Sequence, residues 1–186
     1  MNGQHATIRP GAAINVLIPE DAIRERVREI AAEVNADFGD RLFTVVGILT
    51  GSLVFLADLI RRLEHRHQIG LLEASSYRGT ATTPGTLVLN TGLLPEVRGR
   101  HILLLDDILD TGATLSQVVA HLHGLGAASV KTCVLLRKIG RQTVAFEPDY
   151  VGFKIPDKFV VGYGLDFNDD YRHLPFIGVL PEDTPV

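Results

Sequence analysis

The sequence predicts an α/β fold, a doubly wound, mostly parallel sheet flanked by helices, and three observations predict it. Short apolar runs, Leu42–Leu49, Ile102–Leu105 and Val130–Leu136, lack polar alternation and read as strands buried on both faces. Between them lie segments whose apolar residues recur at helical spacing. The two patterns alternate along the chain, as parallel strands joined by crossover helices require.

Taken in order, Met1–Asn15 reads as a loose arm. Glu20, Asp21 and Glu25 then occupy the first turns of a helix whose apolar stripe is Ile23, Val27, Ile30 and Val34. The acids suit the positive end of the helix dipole. Leu42–Leu49 is β-rich and ends at Thr50-Gly51-Ser52, where Ser52 is placed to cap a helix carrying Leu53, Leu56, Ile60 and Leu63 on one face. Ile69–Ser75 reads as a strand. Tyr77–Thr86 crowds Gly, Thr and Pro together, which predicts a mobile loop or weak hairpin with Leu87–Asn90 as its return strand. His101–Leu105 is a buried strand, Thr114–Leu125 a helix with Leu115, Val118, Val119 and Leu122 inward, ended by Gly124 and Gly126. Val130–Leu136 is the next strand, and short strands follow near Tyr150–Ile155, Phe159–Tyr163 and Ile177–Leu180.

A length of 186 residues fits one domain spanning the chain, long enough to bury a substantial core. No apolar run approaches the roughly 20 residues of a membrane span, and the start MNGQHATIRPGAAI lacks the pattern of a signal peptide. One cysteine, Cys133, permits no internal disulfide and, lying in an apolar strand, reads as a buried structural thiol of a reducing compartment. A net charge of −4 without a basic tract argues against nucleic acid as the main partner, and a cytoplasmic location is expected. His65, His67, His121 and His123 show no metal-ligand spacing and are expected to face solvent.

The most informative segment is ILLLDDILDTGATLS, Ile102–Ser116. A buried strand ends at two adjacent carboxylates, Asp106 and Asp107, and Asp110-Thr111-Gly112-Ala113-Thr114 leads into a helix. Such a loop can aim backbone amides, two hydroxyls and a helix N-terminus at one phosphate. The neighbouring acids suit ribose hydroxyls and Mg²⁺. The order fits a sugar-phosphate site; alone, the acids would read as a solvated strand end and Asp110 as a helix cap.

This segment resembles the 5-phosphoribosyl-1-pyrophosphate (PRPP) motif of the type I phosphoribosyltransferases. Three further segments, Gly47–Leu59 (GILTGSLVFLADL), Ala74–Tyr77 (ASSY) and Val151–Pro175 (VGFKIPDKFVVGYGLDFNDDYRHLP), resemble the hypoxanthine-guanine branch in the same order. The resemblance runs from about Val45 to Val179. It implies a small hood formed by the N- and C-terminal segments, a Mg²⁺-dependent purine salvage transferase that joins PRPP to N9 of hypoxanthine or guanine to give IMP or GMP, and assembly as a homodimer or homotetramer.

Residue by residue, the resemblance implies that Asp106 and Asp107 face the ribose hydroxyls, directly or through Mg²⁺, and that Asp110 to Thr114 hold the 5′-phosphate. Asp110 is also implied as acceptor of the purine N7 proton. Lys138, by itself a surface lysine beside Arg137 and Arg141, aligns with a donor to the purine O6. Phe159 is implied to stack on the base and Val160 to read its edge. Asp166 would bind a second Mg²⁺ and Arg172 clamp the pyrophosphate; without the resemblance they read as a loop ion pair. Leu49-Thr50-Gly51 matches the pyrophosphate loop, whose peptide before the middle residue is often cis, and Ser76 and Tyr77 match the closing loop. Thr50 and Ala113 stand where many relatives carry longer polar side chains. Two alternatives stay open: a transferase for xanthine or adenine, the latter disfavoured by Lys138, and a PRPP-sensing regulator without turnover.

Overall fold

The computed structural model describes residues 14–76 and 87–180. The elements are β1 (Asn15–Ile18), α1 (Glu20–Phe38), β2 (Phe43–Leu49), α2 (Leu53–Ile60), β3 (His67–Ser76), β4 (Leu87–Leu93), β5 (His101–Leu109), α3 (Ala113–Gly124), β6 (Ser129–Lys138), β7 (Tyr150–Ile155), β8 (Val160–Val161) and β9 (Ile177–Val179). Asn15, expected in a loose arm, instead opens a strand. The expected mobile loop at Tyr77–Thr86 lies outside the described residues.

Six strands form the main sheet in the order β4-β3-β2-β5-β6-β7. All neighbours are parallel except β3 and β4. The doubly wound expectation holds, because the central strands β2, β5 and β6 alternate between two apolar layers. Phe43, Val45, Leu103, Leu105, Cys133 and Leu135 face α1 and α2, whereas Val46, Ile48, Ile102, Leu104 and Val134 face α3. Burial on both faces is why these runs carry no polar alternation. The stripe Ile23, Val27, Ile30 and Val34 of α1 is buried as its spacing requires.

A second sheet, β1-β9-β8, joins the two ends of the described chain antiparallel, with Asn15 opposite Val179 and Val160 opposite the same residue. This is the hood. Tyr163, just after β8, donates its hydroxyl to Asp58 of α2 at 2.7 Å, which pins the hood loop to the main body.

Local details differ from the sequence expectation. Ser52 does not cap α2; its hydroxyl donates to the Ile48 carbonyl at 2.5 Å, locking the turn that leaves β2. That turn sets the rotation of α2, so Phe55, Leu56 and Leu59 go inward while Leu53 remains 47% exposed. His65, His67 and His121 are half-buried rather than solvent-facing, His67 lying 5.5 Å from the Phe43 ring. No helix among the described residues is long and apolar enough to cross a membrane.

The fold places a crevice at the centre of the sheet. β2 pairs with β5 only as far as Gly47 opposite Leu105, then follows β3 to Leu49. β5 continues along β6 alone, with Asp106 opposite Val134 and Leu109 opposite Arg137. The two central strands therefore part just where the strand order reverses, the position at which open α/β sheets take ligands.

Candidate active site

β5 does not stop at its acids. The expected end at Leu105 is wrong by four residues, because β6 keeps pairing after β2 has left. Asp106 and Asp107 are thus fixed by strand geometry, with one free edge toward the crevice. Asp106 is 8% exposed. Burial, and then the charge of Asp107, push its carboxyl well above the usual carboxylate range. Asp107 is also raised, again chiefly by burial, while Arg172 and the Ile108 N–H at 2.8 Å oppose the rise.

Opposite them, the turn after β2 contains a cis peptide between Leu49 and Thr50. A Cβ on Gly51 would fall on the Asp107 carboxylate, so only glycine lets this backbone approach the acid. Beyond β5, Gly112 adopts φ +86° and serves as the residue before α3. Gly112 at the N-cap position has no side chain to cap α3, and Asp110 makes no hydrogen bond to the helix N-terminus. Thr111 Oγ1 accepts from the Ala113 N–H at 3.3 Å, and the Thr111 carbonyl accepts from the Thr143 and Val144 N–H groups at 3.0 and 3.2 Å. The loop between β6 and β7 thereby buttresses the turn.

Two neighbouring cavities open along the crevice. The larger, about 380 Å³, is walled by Thr50, Gly51, Asp106, Asp107, Asp110, Thr111, Gly112, Thr114, Asp166 and Arg172. The smaller, about 270 Å³, is walled by Lys138, Phe159, Val160 and Leu165. Asp107, Ile108, Asp110 and Asp166 border both. One cavity is a cradle of amides, hydroxyls and acids; the other presents an ammonium, an aromatic ring and aliphatic walls.

Nearly all the residues singled out from sequence meet here. Ala113 lines neither cavity. Ser76 ends β3 with its backbone paired to Leu87, and Tyr77 lies outside the described residues. Asp166 and Arg172 form an ion pair at 2.9 Å on the cavity wall, and Arg172 also donates to the Gly164 carbonyl at 2.8 Å. Phe159 precedes β8 rather than lying within it; it is 54% exposed and meets Phe167 edge-on at 5.4 Å.

Sequence reading missed Ile108 and Leu165 as cavity walls, and it missed the partners of Asp110. Arg141 Nε donates to Asp110 Oδ1 at 2.9 Å, and Lys138 Nζ stands 3.6 Å from Oδ2. Asp157 faces the same two cations, 3.3 Å from Lys138 and 3.5 Å from Arg141. The available signal was the short spacing of Lys138 to Arg141 and of Asp157 to Phe159, but which loop meets which is a matter of tertiary pairing.

For a divalent cation, the adjacent carboxylates of buried Asp106 and half-buried Asp107 supply hard oxygen donors, and both are pushed toward the protonated form by desolvation. Among the described residues, no group of three or more His, Cys, Asp or Glu could hold a metal. The pair therefore fits Mg²⁺, which takes one or two carboxylates and fills its shell from phosphate oxygens and water, rather than an all-protein metal centre.

Residues 19–168 match the phosphoribosyl transferase domain model. Hypoxanthine-guanine phosphoribosyltransferase of Bacillus subtilis strain 168 is 39% identical over 165 residues, covering 89% of this chain and 92% of that protein. The Streptococcus pneumoniae R6 protein of the same name is 38% identical over 91% of this chain and 94% of its own length. The bifunctional protein TilS/HprT of Listeria innocua is 41% identical over 89% of this chain, which spans only 26% of that longer protein. Among solved structures, a hypoxanthine-guanine phosphoribosyltransferase from Bacillus anthracis superposes with TM-score 0.85 at 37% identity, covering 91% of this chain and 100% of that one.

The matched domain and this mostly parallel sheet, with paired acids and a glycine turn at its switch point, place the chain among the phosphoribosyltransferases. Within that class the chain belongs to the hypoxanthine-guanine phosphoribosyltransferase family.

Proposed function

We propose that the chain transfers the 5-phosphoribosyl group of PRPP to N9 of hypoxanthine or guanine, releasing pyrophosphate and giving IMP or GMP in purine salvage. The observation that carries this reading is the pair of cavities with a shared acidic border. A ribose phosphate suits the larger cavity and a planar oxopurine the smaller, so the carbon that changes partners would lie where the two meet.

Thr111, Gly112 and Thr114 receive the 5′-phosphate through backbone amides, hydroxyls and the N-terminus of α3. Ala113 contributes backbone alone. Asp106 and Asp107 hold the ribose hydroxyls and, with substrate oxygens, Mg²⁺; Asp166 is the candidate for a second ion. When bound, Mg²⁺ supplies charge neutralisation on the pyrophosphate. Thr50 and Gly51 amides and the Arg172 guanidinium receive the same group, an arrangement that stabilises charge developing on a leaving oxyanion. Ser76 and Tyr77, by their match to the family's closing loop, are the proposed remaining substrate-binding positions.

On the base side, Phe159 stacks on the purine and the Val160 backbone reads its edge. Lys138, an ammonium with donors only, faces O6. Adenine would place an amino group against it, leaving donors opposed. Asp110 accepts the N7 proton as general base. C1′–O breaks, C1′–N9 forms, and the proton leaves to Asp110; no covalent enzyme intermediate is needed. We place the enzyme in the cytoplasm as a homodimer or homotetramer, with small-molecule substrates and neither nucleic acid nor membrane as partner.

The test is product formation from PRPP, Mg²⁺ and each of hypoxanthine, guanine, xanthine and adenine. Conversion of hypoxanthine or guanine with adenine inert is expected. Binding of PRPP without conversion of any base would overturn the enzyme in favour of a PRPP sensor.

A further inference from the structure

Asp110 is held from three directions, two at its carboxylate and one at its backbone carbonyl, and none of the holders lines the larger cavity. Arg141 Nε donates to Oδ1 at 2.9 Å, Lys138 Nζ stands 3.6 Å from Oδ2, and Gln142 Nε2 donates to the Asp110 backbone carbonyl at 3.2 Å. The same Gln142 amide donates to the Lys138 carbonyl at 2.6 Å, so one side chain fixes the spacing between the two loops. Asp157 completes a ring with Arg141 at 3.5 Å and Lys138 at 3.3 Å. Two cations thus alternate with two carboxylates at the mouth of the base cavity.

Lys138 has a role on the base side, since it lines that cavity; Arg141 and Asp157 line neither cavity. Their geometry toward Asp110 is nonetheless closer than that of Lys138 in the case of Arg141. A carboxylate carries about four lone-pair sites, so an Nε–H on one oxygen leaves others for a purine proton while fixing the plane of the group. We infer that Arg141 and Asp157 are positioning residues for the purine-facing carboxylate. Arg141 orients Asp110 by its bond to Oδ1, and Asp157 remains as counter-charge to Arg141 and Lys138 once Asp110 has taken a proton. This rests on the functional reading above, in which Asp110 receives the N7 proton.

The ring makes opposite demands on its two outer members. Removing Arg141 takes a cation from Asp110 and disfavours its charged form; removing the charge of Asp157 leaves both cations to Asp110 and favours it. Lys138, Arg141 and Asp157 are the charged groups around Asp110, with Asp107 and Asp166 along the shared cavity wall. Lys138, Asp107 and Asp166 are unchanged in both variants. A general base loses activity as it is protonated, so the acid limb of kcat/KM for hypoxanthine reports its titration.

The experiment is the pH profile of kcat/KM for hypoxanthine at saturating PRPP and Mg²⁺ for the wild type, Arg141→Ala, Arg141→Lys and Asp157→Asn. The expected result is an acid limb moved up by about 0.5–1 pH unit in Arg141→Ala and down by a similar amount in Asp157→Asn, a partly solvated ring giving less than a buried one. Arg141→Lys should return most of the shift, and KM for PRPP should stay within about twofold throughout. Limbs that do not move, or that move the same way in both variants, would overturn the inference while an active wild type leaves the functional reading standing. A wild type that binds PRPP but converts no base would overturn that reading, and the positioning role with it.

Discussion

The two cavities meet at a common wall, yet they are built in opposite ways. The phosphate side is largely one continuous piece of chain, Asp106 to Thr114, with Thr50 and Gly51 facing it across the crevice. Its chemistry is mostly backbone, and the side chains that matter are acids or hydroxyls fixed by β5 and the turn into α3. The base side is assembled from the end of β6, the segment before β8 and the loop beyond it. Its chemistry is side chains brought from separate loops and held together by ion pairs. A site made of backbone is robust to changes of side chain and sensitive to added bulk; a site made of ion-paired side chains is the reverse.

Replacing Asp110, which borders both cavities, should give the largest effect. Asp110→Asn removes the proposed proton acceptor but keeps the shape, and kcat should fall by about 10²–10⁴ in steady-state assays with hypoxanthine. A variant within about threefold of wild type would separate the acid from the chemistry.

Next, Gly51→Ala tests the backbone side. The added methyl meets the Asp107 carboxylate, so KM for PRPP should rise by roughly tenfold or more, the scale of a misplaced binding group, while KM for the base is nearly unchanged. Equal damage to both substrates would mean that the two cavities do not act separately. On the other side, Lys138→Gln keeps a donor and adds an acceptor. It should cost about tenfold in kcat/KM for hypoxanthine and narrow the gap to adenine, because the enforced mismatch against the amino group is relaxed. Competition between the two bases measures this directly.

Asp106→Asn should uncouple stability from activity. The Asp106 carboxyl is raised by burial, so the folded protein binds a proton that the unfolded chain has already lost. Its contribution is therefore fully present below the ordinary carboxylate range and is lost as pH rises through the raised value. At pH 8, without Mg²⁺ or PRPP, the uncharged variant should melt about 2–4 °C higher, the shift that 1 kcal/mol produces in a chain of this size. The advantage should vanish toward pH 4, and PRPP turnover should fall at every pH. The smallest effect belongs to Phe159→Ala. The ring is more than half exposed, so the melting temperature should be unchanged within about 1 °C while KM for the base rises a few-fold.

This contrast also explains what could be read from the chain. The phosphate side was legible because strand, acids, turn and helix start are consecutive, and each residue type answers a local demand: φ +86° at Gly112, hydroxyls at Thr111 and Thr114. The Arg141–Asp110–Lys138–Asp157 ring was not, since no local pattern says which of several charged loop residues will meet. Ser52 failed as a cap for a related reason. Its type suits an N-cap, but the tight turn out of β2 brought the Ile48 carbonyl within reach first.

By itself, the sequence determined the alternation of strands and helices, the two-faced burial of the central strands and the stripe of α1, because these follow from apolar spacing along a single element. It determined the composition of the phosphate turn for the same reason. Tertiary structure alone decided that β2 leaves β5 after Gly47 while β6 follows it to Leu109, which opens the crevice and carries the acids along an extended strand. It also decided how the hood closes, with β1 from one end of the chain paired to β9 from the other. Strand partners and loop encounters depend on residues far apart in the chain, and their energies exist only once the sheet has formed.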